Sequence, residues 1–240
     1  MFCQQIICSL VLLMTVDITI CRPGLREHAL NPSVQAVQTR RDSLAGSIGV
    51  VVYEKEGPRR NKDKDIIRLF NDDGSLWYEF SYFEENALSY LKKPNADFTP
   101  FGFDPDIFEL ILKCVRSDAN RYEVIVNEES GLRKFVRRND PILKFQQWEE
   151  HVAKWGMVGF DVSTNPARSK PDINADIIRI PTLSTDYVIY FHPDKIEGAW
   201  LRVRWNLSES GAKYQKQNKN EFGWIRWRNE ENSLMVTPLK

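Results

Sequence analysis

Thirty-three Lys and Arg balance 33 Asp and Glu over 240 residues, so no bulk charge recruits nucleic acid or anionic lipid. Apolar residues make up 42% and charged ones 28%, which excludes a disordered chain and a multi-span membrane protein. A chain of this length buries a substantial core, as one large domain or two small ones. The unusual feature is aromatic: seven Trp, all but Trp77 at or beyond Trp148. Trp combines a large apolar area with an N–H that needs a partner, which suits cores and recognition faces alike.

Ile6 to Val16 is an apolar run of 11 residues ended by Asp17. It is too short to span a bilayer as a helix and has the length of an export-signal apolar segment, so residues 1–21 are expected to be a signal peptide. No Lys or Arg precedes the run, and a buried N-terminal strand is the alternative. Cys3, Cys8 and Cys21 lie in or beside this segment, leaving Cys114 alone in the body, which is not the even set of a disulfide framework. Ile18-Thr19-Ile20-Cys21 resembles a bacterial lipoprotein box, and the resemblance implies a lipid anchor on Cys21 as the one route to a membrane. The alternative is a soluble exported protein cut near Cys21 or Pro23. Residues 22–43 are polar, contain Pro23, Gly24 and Pro32, and read as a tether.

Strand signals begin at Ile48–Tyr53, followed by a charged loop, Glu54–Lys64. Ile66–Phe70 and Leu76–Phe80 flank Asn71-Asp72-Asp73-Gly74, a hairpin signal. Tyr122–Val126 and Leu132–Val136 flank a loop ending in Gly131, a second hairpin. Two segments show helical spacing. Asp104-Pro105 supplies an N-cap and a first-turn proline ahead of Ile107, Phe108, Leu110, Ile111, Cys114 and Val115. Phe145, Trp148, Val152 and Trp155 mark a second helical face. Residues 164–174 hold two Pro among polar residues and form the best internal boundary. Beyond it, Ile177–Ile180, Tyr187–Phe191, Trp200–Trp205, Gly223–Arg228 and Leu234–Val236 read as five short strands, enough for a small barrel.

The run Gly198-Ala199-Trp200-Leu201-Arg202-Val203-Arg204, then a polar loop, then Gly223-Trp224-Ile225, resembles the hairpin of Src-homology-3-type barrel modules of bacterial envelope proteins. It covers about 65 residues, and the Tyr122–Val136 hairpin echoes it without the Gly-Trp pair. The resemblance implies a non-catalytic targeting or interaction role at the cell wall; a fold analogy names no ligand. The fold expected is therefore mainly β (α+β). An N-terminal antiparallel lobe with two short helices spans 44–163, a linker spans 164–174, and a Src-homology-3-like small β-barrel spans 175–240.

Alternation along a strand puts Trp200, Arg202 and Arg204 on one face. Trp224, Arg226 and Arg228 share one face of the next strand. If the strands pair, these six residues form one binding face, suited to a peptide carboxylate, a glycan or an anionic envelope polymer. The alternative is that the Trp fill the barrel while the Arg solvate its rim.

Catalytic readings are thinner. Cys114 with His151 or His192 would make a thiol nucleophile and base, but Cys114 lies on an apolar stripe and a reactive thiolate needs exposure. Glu84-Glu85 and Glu149-Glu150 are adjacent acids of the kind found on solvent-facing surfaces. His28, His151 and His192 are scattered with no metal-ligand spacing, so neither a metal nor a cofactor is expected. Lys213, Lys216 and Lys219 punctuate a long polar loop that reads as solvated. The leading expectation is an exported envelope protein (periplasmic, surface-bound or secreted) that binds without catalysis. The alternatives are a cell-wall or peptide hydrolase using Cys114 or a carboxylate pair, and a structural subunit.

Overall fold

The computed structural model describes residues 42–54, 66–81, 95–180, 189–205 and 221–239. The signal segment with Cys21, nearly all of the tether, Glu84-Glu85 and the Lys213–Lys219 loop lie outside the described residues.

Strand β1 (Gly49–Tyr53) is the pivot of the architecture. Its sequence, GVVVY, is apolar without alternation because both of its faces are buried. Val51 points into one cluster with Ile67, Leu69, Leu112, Cys114 and Val124. Val50 and Val52 point into another with Trp148, Val152, Leu201, Trp205 and Trp227.

The strands β2 (Ile66–Phe70), β3 (Leu76–Ser81), β5 (Glu109–Ser117), β6 (Arg121–Asn127), β7 (Leu132–Arg137) and β8 (Leu143–Gln146) complete the main path with β1. They run in the order β3-β2-β7-β6-β5-β1-β8, and the short β4 (Gly102–Asp104) pairs with β5. All these pairings are antiparallel. Both expected hairpins are present: β2–β3 turns through Gly74 at φ 84° and β6–β7 through Gly131 at φ 73°, left-handed positions that favour glycine. A two-stranded pair joins β9 (Met157–Gly159) to β13 (Thr237–Leu239). A three-stranded sheet orders β10 (His192–Glu197), β11 (Trp200–Trp205) and β12 (Glu221–Arg226).

The protein is thus mainly β, with antiparallel sheets. Two sequence expectations change. Helical spacing over Asp104–Val115 gives only a 3-10 turn at Pro105–Ile107, where Asp104 Oδ1 accepts from the Asp106 N–H. Phe108, left-handed at φ 59°, ends that turn, and the chain continues as β5. The error has a physical origin: β5 is buried on both faces, with Leu110, Leu112 and Cys114 in one core and Ile111 in the other, so its apolar residues carry no period of two. The second helix, α1 (Trp148–Ala153), exists but spans only six residues. It buries Trp148 and Val152 against the core that also holds the inner face of the small sheet.

The second change concerns the C-terminal strands. Among the described residues no strand order closes into a barrel. Ile177 forms an isolated bridge with Arg168 rather than a strand, and Phe191 a bridge with Val158. Residues 181–188 lie outside the described residues. The segment with two Pro, 164–174, is bonded along β12. Asn165 Nδ2 donates to the Arg226 carbonyl at 2.8 Å, and the Arg168 and Trp224 backbones exchange N–H···O bonds at 2.8 Å. The described residues all belong to one compact unit.

Candidate functional site

β11 and β12 lie side by side in the register Trp200↔Arg226, Arg202↔Trp224 and Arg204↔Phe222. The intervening positions, Leu201, Val203, Trp205 and Ile225, are fully buried in the core behind the sheet. Trp205 and Trp227 each keep a polar partner there: Trp205 Nε1 donates to Glu221 Oε2 at 3.1 Å and Trp227 Nε1 to the Gly198 carbonyl at 2.8 Å. On the outward face, β10 adds His192 opposite Arg204, Lys195 opposite Arg202 and Glu197 opposite Trp200. The result is three rows across the sheet: His192–Arg204–Phe222, Lys195–Arg202–Trp224 and Glu197–Trp200–Arg226.

Across β11 and β12 each row sets one cation opposite one ring, and two of the arginines lie over rings. The Arg226 guanidinium carbon lies 5.4 Å from the Trp200 ring centre; that of Arg202 lies 5.3 Å from Phe222 and 5.8 Å from Trp224. These are the distances at which a ring quadrupole attracts a cation. Acids cap two of the arginines. A bulge between Pro193 and Lys195 accompanies the ion pair of Asp194 with Arg202 Nε, and Arg226 Nη1 stands 3.4 Å from Glu230. Trp200, Arg202, Arg204 and Arg226 are partly exposed, Phe222 is exposed, and Trp224 is only 9% exposed.

Five of the six residues singled out by sequence therefore share one face of the sheet, four of them partly exposed and Trp224 buried. Arg228 stands apart. It lies beyond the end of β12, after Trp227, stacks at 4.7 Å on that inward-facing ring, and pairs with Glu149 of α1 at 3.4 Å. Sequence reasoning missed Phe222, which alternation from Trp224 would have found, and the acids Asp194 and Glu230. Asp194 left no signal, because a bulge breaks the alternation that would have placed it.

No protein-family model, curated protein or solved structure matches the chain. The candidate site therefore rests on its own geometry.

The other candidate chemistries look different in space. Cys114 is wholly buried, its Sγ lies 3.4 Å from the Arg116 carbonyl, and burial pushes its thiol up to about 11. A protonated, sealed thiol is a poor nucleophile. Native protein is therefore expected to react with iodoacetamide at Cys114 only in denaturant; rapid labelling at neutral pH, followed by peptide mass spectrometry, would restore the thiol-hydrolase reading. Glu149 and Glu150 do not act as a pair: Glu149 faces Arg228, and Glu150 holds Lys154 at 3.0 Å. Among the described residues no cluster of three or more His, Cys, Asp or Glu could hold a metal ion. No described helix is long and apolar enough to cross a membrane.

Proposed function

We propose that this protein is a non-catalytic, exported envelope protein that uses the outward face of β10–β12 to bind a peptide, glycan or anionic envelope polymer. The observation that carries this reading is the register of β11 and β12. It sets Trp200 across from Arg226 and Arg202 across from Trp224, so that aromatic planes and guanidinium forks form one continuous surface over a fully buried inner face. A face built only for solubility has no need of Trp; one built only for packing has no need of three arginines, whose planar forks lose little entropy on binding. The Ile6–Val16 run supports export, and Cys21 is the proposed point of lipid attachment. The Src-homology-3-type resemblance of the C-terminal segment belongs to the same proposal; Trp200–Arg204 and Gly223–Ile225 of its motif fall on β11 and β12.

The test is cosedimentation of the purified protein with isolated bacterial envelope and cell-wall sacculi. Wild type is expected in the pellet. The double variant Trp200→Ala/Arg226→Ala removes one stacked, partly exposed pair and leaves the inner face untouched; it is expected in the supernatant with an unaltered circular dichroism spectrum. Retention of that folded variant at the wild-type level rejects the reading.

A further inference from the structure

The positions of the grid differ in how far their charge is already answered. Arg202 carries Asp194 on its Nε and two rings around its guanidinium. Arg226 carries Glu230 and the Trp200 ring, and its backbone is held on both sides by Asn165. Arg204 is alike in sequence and unlike in surroundings: its guanidinium makes no hydrogen bond or ion pair among the described residues. Its neighbour across β12 is Phe222, 43% exposed, and its neighbour across β10 is His192, whose Nδ1 is fixed by the Gly156 carbonyl at 2.8 Å.

Resting on the reading of this face as the binding surface, we propose that Arg204 is its anchoring point. It takes a single carboxylate carried on an apolar body, namely an acidic side chain of a peptide partner flanked by apolar residues. The planar fork of Arg204 matches a carboxylate with two parallel N–H···O bonds. Phe222 beside it supplies apolar contact for the body of the ligand. The remaining rows set the spacing of charge. Asp194, Glu197 and Glu230 are paired with Arg202, Lys195 and Arg226 and leave little excess positive charge for a uniformly charged polyanion, whereas a lone acid among apolar side chains needs only the open arginine. Arg202 and Arg226, already paired and stacked, hold the rings in place instead of seizing the ligand.

The experiment titrates acetyl-Leu-Glu-Leu-amide into the isotopically labelled full chain and follows backbone amide shifts. Binding is expected to move the β11 and β12 amides. Arg204→Ala and Arg204→Gln are expected to weaken it about tenfold, the worth of one charge-assisted hydrogen bond. Acetyl-Leu-Gln-Leu-amide should bind wild type as weakly as the Arg204 variants bind the acidic peptide, and Arg202→Ala, which loosens the Phe222 and Trp224 rings but removes no open fork, should weaken binding less than Arg204→Ala. Unchanged affinity in both Arg204 variants overturns the proposal, as does a loss confined to Arg202→Ala. Saturable binding of polygalacturonate without peptide binding also overturns it, making the face a glycan surface. In each of these cases envelope cosedimentation still separates failure of the anchor from failure of the face itself.

Discussion

Glu128→Ala is expected to cost about 3–5 kcal/mol of folding stability, because it takes the carboxylate away from a buried cation. Lys113, on β5, lies 2.7 Å from Glu128 Oε2, and their side chains are 3% and 7% exposed. The ammonium also donates to the Ser43 carbonyl at 2.9 Å and stands 5.0 Å from the Phe101 ring centre. A neutral carbonyl and a ring do not replace the carboxylate's charge at low dielectric. The native pair is itself imperfect, since Glu128 Oε1 is buried without a hydrogen-bond partner. The double variant Lys113→Met/Glu128→Leu is therefore expected to recover most of the loss, or to exceed wild type, in urea denaturation. A double variant as unstable as Glu128→Ala would mean that shape, not charge, makes the site costly to change.

The second large effect comes with acid. His151 on α1 is 7% exposed, and both of its ring nitrogens are committed. Trp155 Nε1 donates to His151 Nε2 at 3.3 Å; because indole only donates, Nε2 must accept. The proton therefore sits on Nδ1 and is shared with Gln146 Oε1 at 2.9 Å, and Gln146 passes an N–H to Glu54 Oε2 at 3.3 Å. Burial, reinforced by the Lys154 charge and opposed by Glu150, lowers the imidazole from 6.5 to about 4. Between those two pH values the unfolded chain holds more protons than the folded one, so stability falls as pH falls. The contribution is intact above pH 6.5 and is lost progressively down to about pH 4, reaching roughly 3 kcal/mol at 1.36 kcal/mol per pH unit. Urea midpoints taken across this window should show the slope in wild type and lack it in His151→Gln. Parallel curves for the two proteins would assign the acid sensitivity elsewhere.

The sequence was most legible where one local rule acts alone. The β2–β3 and β6–β7 hairpins follow from Gly74 and Gly131 at left-handed turn positions between apolar runs. The outward row of β11 follows from alternation, because that strand has one buried and one open face. Legibility failed where a strand has two buried faces. β5 offered apolar residues at helical spacing, and nothing local told Leu110 from Ile111, which serve different cores. It failed again where partners come from afar. Glu149 claims Arg228 from α1 and Asp194 claims Arg202 across a bulge, so the apparent row of four arginines contains one that is open. Identical side chains at regular spacing thus differ in how far their charge is answered, according to which carboxylates the tertiary fold delivers to them.

Strand β1 has a mechanical consequence. As a wall common to both cores, it ties their fates: lifting the small sheet and α1 away lays bare Val50 and Val52, while opening the opposite side lays bare Val51. Neither half can melt alone without wetting the same five-residue ribbon, so loss of structure is expected to be concerted across the two halves, the outward face of β10–β12 included.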